Sequence, residues 1–448
     1  MTKYFGTDGV RAVAGQFPLV EDFIVKLGYC ALKELQKHGS DNKKPVFIGE
    51  DSRISGPSIS AHLIRGIRAA GFNVVHVGIA PTPAISFLTK KYGAVCGVEI
   101  SASHNPAEFN GIKFFSPSGA KLGDALEQNI EDAIENTKTV PAEDPQTSCI
   151  KDESKLQEYA EFLESTVKGA NFKGIKVVLD CANGASYKIA PKVFKDLGAE
   201  ISVMADAPDG LNINKDVGAL HTAAMQNKTK EENALIGFSF DGDADRLIAS
   251  DEKGRQLDGD NIIAIAAMHL KQTGKLHGDK AVLTIMANLG LINYLKSNGI
   301  EPVLTKVGDK YVYEALEKEN LSIGGETSGH VIFKNIFHTG DGILSALQIL
   351  SIIKESGKKP SWFKEQWDKY PLKQVQVKVT QKPPLEEIDG FKDYIAKLES
   401  SMGSKGRIVV RYSGTEPLLR ILVEGEDKAQ VEDFAQKTAD FYKAKTQL

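Results

Sequence analysis

Cysteine, net charge and long apolar runs are all in short supply in this chain, and each shortage closes off a class of protein. Only four cysteines occur in 448 residues. Cys30, Cys96, Cys149 and Cys181 are widely scattered and make no C-x-x-C pair, so reduced thiols fit better than a disulfide framework or a zinc site. No apolar stretch is long enough to span a bilayer, and no membrane partner is expected. A formal charge of -4 gives no reason to expect nucleic acid or an anionic surface as partner. The N-terminus is polar by residue 7 and has no apolar core of the secretory kind, so the expected compartment is the cytoplasm. Neither G-x-x-x-x-G-K-[ST] nor G-x-G-x-x-G occurs, which disfavours a P-loop enzyme or a dinucleotide-binding dehydrogenase. The absence of G-x-S-x-G disfavours an acyl-transfer triad.

What is present begins with Asp241-Gly242-Asp243-Ala244-Asp245-Arg246. Three carboxylates at alternate positions follow the apolar run Ala234 to Phe238. An extended backbone would point all three one way, with only Gly242 and Ala244 between them. Converging anions repel one another unless a hard cation sits among them, and oxygen-only ligands favour Mg2+ or Ca2+. An EF-hand loop also begins D-x-D-x-D, and Glu252 falls at its twelfth position. That loop needs glycine where Arg246 stands, and the flanks read as strands, which disfavours the EF-hand reading; a solvated acidic turn without metal is the stronger alternative.

Composition is that of an ordinary soluble globular protein, 42% hydrophobic and 25% charged, and the length suits about three or four domains. A unit repeats three times. Val46 to Ile48, Val177 to Leu179 and Val282 to Ile285 are short strands, each ending in a polar or glycine turn. Helical stripes follow: Ile59, Leu63, Ile67; then Ile189, Val193, Leu197; then Leu291, Leu295. Each stripe stops at a glycine, Gly71, Gly198 or Gly299, placed as a left-handed cap. A second strand comes next (Val74 to Val77, Ile201 to Met204, Val303 to Leu304), and a third apolar run closes the unit (Val95 to Ile100, Ala234 to Phe240, Leu321 to Gly324). Such alternation predicts α/β layering, with ligands gathered beyond the carboxyl ends of the strands. The loops after the third runs are Ser101 to Pro106, the triple-Asp loop, and Gly325 to His330.

The expected fold class is therefore α/β: three related α/β domains with mixed sheets around a central cleft, plus a smaller C-terminal α+β domain. Composition shifts place the boundaries at 1–150, 151–252, 253–368 and 369–448. In the last segment Val375, Val377 and Val379 alternate. Strands at Ile408 to Val410 and Leu419 to Val423 flank Arg411-Tyr412-Ser413-Gly414-Thr415, with charged helices near 384–400 and 427–445.

Ser103, followed by His104-Asn105-Pro106, stands on a tight turn after an apolar strand and could carry a phosphoryl group. Phosphoserine oxygens would complete the coordination of a three-carboxylate metal. Arg411, Ser413, Gly414, Thr415 and Arg420 form an anion receptor of hydroxyls, turn amides and planar guanidinium forks. Glu326, Ser328 and His330 supply the hydroxyl-binding groups a sugar needs.

With these motifs on the page, the chain resembles the α-D-phosphohexomutases, and within them most closely the bacterial branch acting on glucosamine phosphate. The likeness runs from Tyr4-Phe5-Gly6-Thr7-Asp8-Gly9-Val10-Arg11 to Arg411-Tyr412-Ser413-Gly414-Thr415-Glu416-Pro417. It takes in Ile100 to Pro106, Asn110 to Lys113, Asp241 to Arg246, Val307 to Asp309 and Gly324 to His330. The resemblance implies that Ser103 is the phosphoserine and that Asp241, Asp243 and Asp245, with Ser103, bind Mg2+. It implies that Arg11, Lys113 and Arg246 surround the transferred phosphoryl group, and that Glu326, Ser328, His330 and Lys310 bind the sugar. The receptor at Arg411 to Thr415, with Arg420, would hold the phosphate that does not react. Lys113 and His104 are the two choices for general acid/base. The implied reaction interconverts glucosamine 6-phosphate and glucosamine 1-phosphate through a 1,6-bisphosphate, supplying precursor for UDP-N-acetylglucosamine and the cell envelope. Glucose or mannose phosphate as substrate, or a non-catalytic sugar-phosphate binder, are the alternatives, and a homodimer is left open. Three positions depart from the family pattern: Ala12 for glycine, Lys310 for arginine and Thr327 for glutamine.

Overall fold

The computed structural model describes residues 3–6, 8–37, 43–413 and 417–446. Its first compact unit comprises residues 1–286 and 301–364 and contains three sheets. In the first sheet the strands are β1 (Val10–Val13), β2 (Val46–Glu50), β3 (Val74–Ile79), β4 (Cys96–Ile100), β5 (Phe109–Phe115) and β6 (Cys149–Lys151), in the order β1-β5-β4-β2-β3-β6. The second holds β7 (Lys176–Asp180), β8 (Glu200–Met204), β9 (Ile236–Phe240), β10 (Leu247–Ser250) and β11 (Gln256–Leu257), ordered β11-β10-β9-β7-β8. The third holds β12 (Lys280–Thr284), β13 (Glu301–Thr305), β14 (Ile323–Gly325) and β15 (Val331–Phe333), ordered β13-β12-β14-β15.

The repeat read from the sequence is a repeat of topology. In every sheet the first strand of the unit pairs in parallel with both the second and the third, and the third pairs antiparallel with a return strand. Every residue of β2, β4 and β9 is buried, as strands covered on both faces must be. The stripe Ile59, Leu63 and Ile67 is buried in the helix Gly56–Ala69, each side chain contributing about 1.5–3 kcal/mol of apolar burial. Gly71, Gly198 and Gly299 all have positive φ, at 92°, 90° and 69°. The three chemistry-bearing loops are thus equivalent, each joining a buried parallel strand to its antiparallel return.

Strands β1, β5, β11 and β15 were not read from the sequence, and neither was an edge strand in the stretch that reads as a linker. The Thr- and Pro-rich stretch after the helix Asp124–Asn136 returns as β6 and pairs in parallel with β3.

The second compact unit comprises residues 287–300 and 365–448. Strands β16 (Leu372–Lys378), β17 (Gly406–Tyr412) and β18 (Leu418–Gly425) are ordered β16-β18-β17, all antiparallel. The helices Phe391–Met402 and Lys428–Thr446 supply Phe391, Val431, Ala435 and Tyr442 to its core. The segment Ala287–Ile300, with the helix Leu289–Ser297, belongs to this unit, although the chain enters and leaves it from strands of the third sheet. Arg407 and the buried Glu424 anchor it: Glu424 accepts from the Leu289 amide at 3.0 Å, and Arg407 donates to the Ala287 carbonyl. Among the described residues no helix is long and apolar enough to cross a membrane.

Candidate active site

Ser103 has φ +51°, a left-handed conformation uncommon for serine, in the turn after β4. Its backbone N–H donates to Ser101 Oγ at 2.8 Å. Its hydroxyl donates to Asp241 Oδ2 at 2.5 Å, and His104 Nδ1 lies 3.4 Å from Ser103 Oγ. The first and second hairpin loops therefore meet at this serine.

Asp241, Asp243 and Asp245 each offer a carboxylate oxygen, and these lie within 4.8 Å of one another. The alternation argument finds the right residues by the wrong route. Residues 241–246 form a tight turn and not an extended strand, and Ala244 takes φ +58°. The turn folds the three carboxylates together while Asp241 Oδ1 accepts the Arg246 amide at 3.2 Å. Gly242 is required by the close approach: a Cβ there would lie 2.5 Å from the Ser103 carbonyl oxygen.

The site fits a hard cation. Asp243 Oδ1 and Asp245 Oδ1 are buried and accept no hydrogen bond, an expensive arrangement for carboxylate oxygens unless they ligate. Burial and its two neighbouring carboxylates push Asp241 well above the usual carboxylate range. For Asp245, burial acts in the same direction but is outweighed by Lys113, His330 and Arg246, which hold it low.

A closed ring of alternating charge links the three sheets. Lys113, on β5 and 1% exposed, reaches Asp243 at 2.6 Å, Asp8 at 3.0 Å and Asp245 at 3.9 Å. Asp245 lies 3.6 Å from His330 Nδ1, whose Nε2 lies 3.7 Å from Asp309. Lys121 pairs with Asp309 and with Asp8, closing the circuit, and Arg11 also pairs with Asp8. Burial disfavours the charged Lys113, yet Asp243 and Asp8 outweigh it and raise its pKa. His104 is pushed down to about 4 by burial and by Arg246 and Arg11.

Arg11, His104, Asp245, Arg246, Glu326 and His330 line one cavity of about 360 Å³. Glu326 Oε1 accepts the Gly308 amide at 3.0 Å, which orients it. Ser328 is exposed and does not line that cavity. Lys310 lines a smaller neighbouring cavity of about 120 Å³ and pairs with Asp124. Thr327 turns its hydroxyl to Asp260 Oδ1 at 2.8 Å, so this departure from the family pattern is absorbed within the protein. Ala12 lies in β1 without positive φ, where alanine costs nothing.

In the second unit Arg411 and Arg420 are directly paired across β17 and β18. Ser413 is buried; its N–H donates to Leu418 O at 2.8 Å and its carbonyl accepts from Lys382 at 2.6 Å. Gly414 and Thr415 lie outside the described residues.

Residue roles for Asp8, Lys121, Asp309, Arg53 and Asn214 were not read from the sequence. A usable signal existed for Arg53: Asp51-Ser52-Arg53 directly follows β2, at the strand end where ligands gather.

Four family profiles match the sequence in order. They are the phosphoglucomutase/phosphomannomutase alpha/beta/alpha domains I (residues 2–141), II (157–254) and III (258–370), and the C-terminal domain (375–441). A phosphoglucosamine mutase from Clostridioides difficile is 44% identical over 450 residues, covering 99% of this chain and 100% of its own. A solved phosphoglucomutase/phosphomannomutase family protein from Burkholderia thailandensis superposes with TM-score 0.81 at 24% identity, over 99% of this chain and 98% of its own. Aspergillus fumigatus N-acetylphosphoglucosamine mutase, solved in complex with GlcNAc-6P and magnesium, gives TM-score 0.67 at 19% identity, over 100% of this chain and 96% of its own.

Proposed function

The chain belongs to the phosphoglucomutase/phosphomannomutase family, and from that premise we propose that it is an isomerase interconverting glucosamine 6-phosphate and glucosamine 1-phosphate through phospho-Ser103. The sugar preference rests on the full-length relative that carries the phosphoglucosamine mutase name. The observation that carries the chemistry is the 2.5 Å contact of the Ser103 hydroxyl with Asp241, inside the three-carboxylate group.

Phospho-Ser103 donates its phosphoryl group to the free sugar hydroxyl: the Oγ–P and sugar O–H bonds break, a sugar O–P bond forms, and the hydroxyl proton ends on the Ser103 oxygen, giving the 1,6-bisphosphate. That intermediate reorients, and its other phosphate rephosphorylates Ser103. Little covalent work is asked of the protein, so positioning and charge carry the rate. Lys113, kept as an ammonium by Asp243 and Asp8, contributes charge and not a base. Arg11 and Arg246 add planar forks for phosphoryl oxygens. His104, neutral at physiological pH, is the better proton acceptor of the two. Mg2+ would be held by Asp241, Asp243, Asp245 and a phosphoserine oxygen, and when bound supplies charge neutralisation at the transferred group. Glu326, His330, Ser328 and Lys310 bind the sugar, and Arg411, Ser413, Gly414, Thr415 and Arg420 hold the phosphate that does not react.

Intact-mass measurement after incubation with a sugar 1,6-bisphosphate should show one added phosphoryl group on the wild type and none on Ser103→Ala. A phosphorylated Ser103→Ala protein would remove Ser103 as the carrier. Comparing kcat/KM on glucosamine, glucose and mannose phosphates tests the substrate; a preference for either neutral sugar would overturn the amino-sugar assignment.

A further inference from the structure

The conformation of Ser103 needs something to hold it. A non-glycine residue at φ +51° costs about 1–2 kcal/mol in that backbone conformation. Such strain persists only where the surroundings over-determine it.

Two side chains do so. Arg53 is fully buried and its Nε donates to Asp51 Oδ2 at 2.8 Å. Asp51 is fixed in turn by the Ser101 hydroxyl at 2.6 Å, two residues before Ser103. The remaining guanidinium donors go to the loop itself. Nη2 reaches the carbonyls of Ser103 at 2.9 Å and Asn105 at 2.8 Å. Nη1 reaches those of Phe109 at 3.0 Å and Pro106. All five N–H groups of a guanidinium are thereby used, with Asp51 as counter-charge. From the second sheet's side, Asn214 Nδ2 donates to the Ser103 carbonyl at 2.9 Å and the Asn105 carbonyl at 3.1 Å. Asn214 is tied to that domain by its own N–H on the Ala182 carbonyl at 2.9 Å.

We propose that Arg53 and Asn214 are positioning residues for phosphoryl transfer: they grip the carbonyls of the Ser103 loop from two neighbouring sheets and so aim its hydroxyl at Asp241. Neither side chain lines the cavity of about 360 Å³, and neither touches the reacting atoms. The Arg53 guanidinium turns four carbonyl oxygens of the loop toward one buried cation, and Asn214 holds two of the same four. A lysine at position 53 keeps the charge but cannot span four carbonyls and a carboxylate, because its donors radiate from one atom.

This inference rests on Ser103 as the phosphoryl carrier. The test uses Arg53→Lys, Arg53→Ala, Asn214→Ala and Ser103→Ala in the full chain. For each, kcat and KM are measured separately, Ser103 phosphorylation by a sugar 1,6-bisphosphate is followed by intact mass, and amide exchange is mapped over residues 101–109. Arg53→Lys should lose about 100-fold in kcat with KM little changed, the scale expected of a misplacement near 1 Å. Asn214→Ala, which removes two neutral hydrogen bonds to the loop, should lose at least about tenfold. Phosphorylation should slow in parallel, amide exchange should quicken within 101–109, and added guanidinium below denaturing concentration should restore part of the Arg53→Ala rate. Wild-type kcat in both Arg53→Lys and Asn214→Ala overturns the proposal. So does a loss of activity that merely tracks the unfolded fraction with no guanidinium rescue. If Ser103→Ala still becomes phosphorylated, the carrier assignment is at fault. If it is inert while the other variants are normal, only the positioning role falls.

Discussion

Asp241 is pressed by Asp245 and Asp243 and is pushed well above the ordinary carboxylate range by burial and those neighbours. Replacing it with the isosteric amide removes repulsion while keeping an acceptor for the Ser103 hydroxyl. Asp241→Asn should therefore raise the melting temperature of the metal-free protein while abolishing turnover, a trade of stability for function that calorimetry and an activity assay would expose together. Lys113→Met should do the reverse for stability. It strands the buried Asp243 without its cation, while Asp8 keeps Lys121 and Arg11, and a denaturant titration should show a loss of about 3–5 kcal/mol. The identities of these residues were legible because three carboxylates so close in sequence have few other uses. Their geometry was not, since a left-handed Ala244 carries no local signature. Arg53 escaped notice although its place directly after β2 was a usable signal, because its carbonyl partners lie 50 to 56 residues away and leave no pattern of their own along the chain.

Two groups beside the third sheet report on how its elements are tied down, with opposite responses to pH. His338, just after β15, bonds Ser86 Oγ at 2.9 Å in the helix Thr82–Lys91, and burial lowers its pKa to about 4. Because the unfolded chain takes up a proton near pH 6.5 and the folded one does not, this histidine's contribution is complete above 6.5 and falls away as pH drops toward 4. Asp341 caps the helix Gly342–Ser356 through the Leu344 amide at 2.9 Å and accepts the Tyr159 hydroxyl at 2.7 Å; burial raises it to about 6. Here the folded state holds the proton longer, so the contribution is greatest below pH 4 and is lost as pH rises through 6. Each effect is bounded at about 3 kcal/mol, and in the wild type they oppose. Unfolding midpoints between pH 4 and 6.5 should rise with pH in Asp341→Asn and fall with pH in His338→Asn. Parallel profiles for the two variants would contradict this account. The strand–helix–strand order of all three units was readable from apolar periodicity. The edge strand β6 was not, because Cys149–Lys151 is exposed throughout and has no apolar pattern.

Across the molecule, the orphaned oxygens of Asp243 and Asp245 mean that a bound divalent ion should stabilise the whole fold. Added Mg2+ should stabilise the wild type by about 2.7 kcal/mol at one hundred times its dissociation constant, read as a raised melting temperature. It should leave Asp243→Asn unchanged. Fold class was accessible from the sequence because the three units share one pattern. The ring joining Asp8, Lys113, Asp245, His330, Asp309 and Lys121 was not, because its members come from five separate stretches of chain. That ring also bears on how the protein can be re-engineered. Anyone grafting the 301–364 segment from a cousin, to borrow its sugar preference, replaces Asp309 and His330 while Lys121 and Asp245, their mates, stay behind in the host. Such a hybrid keeps its hydrogen-bonded ladders, but Lys121 loses one of its two acids unless the graft brings a carboxylate to position 309, so a working transplant must supply that acid.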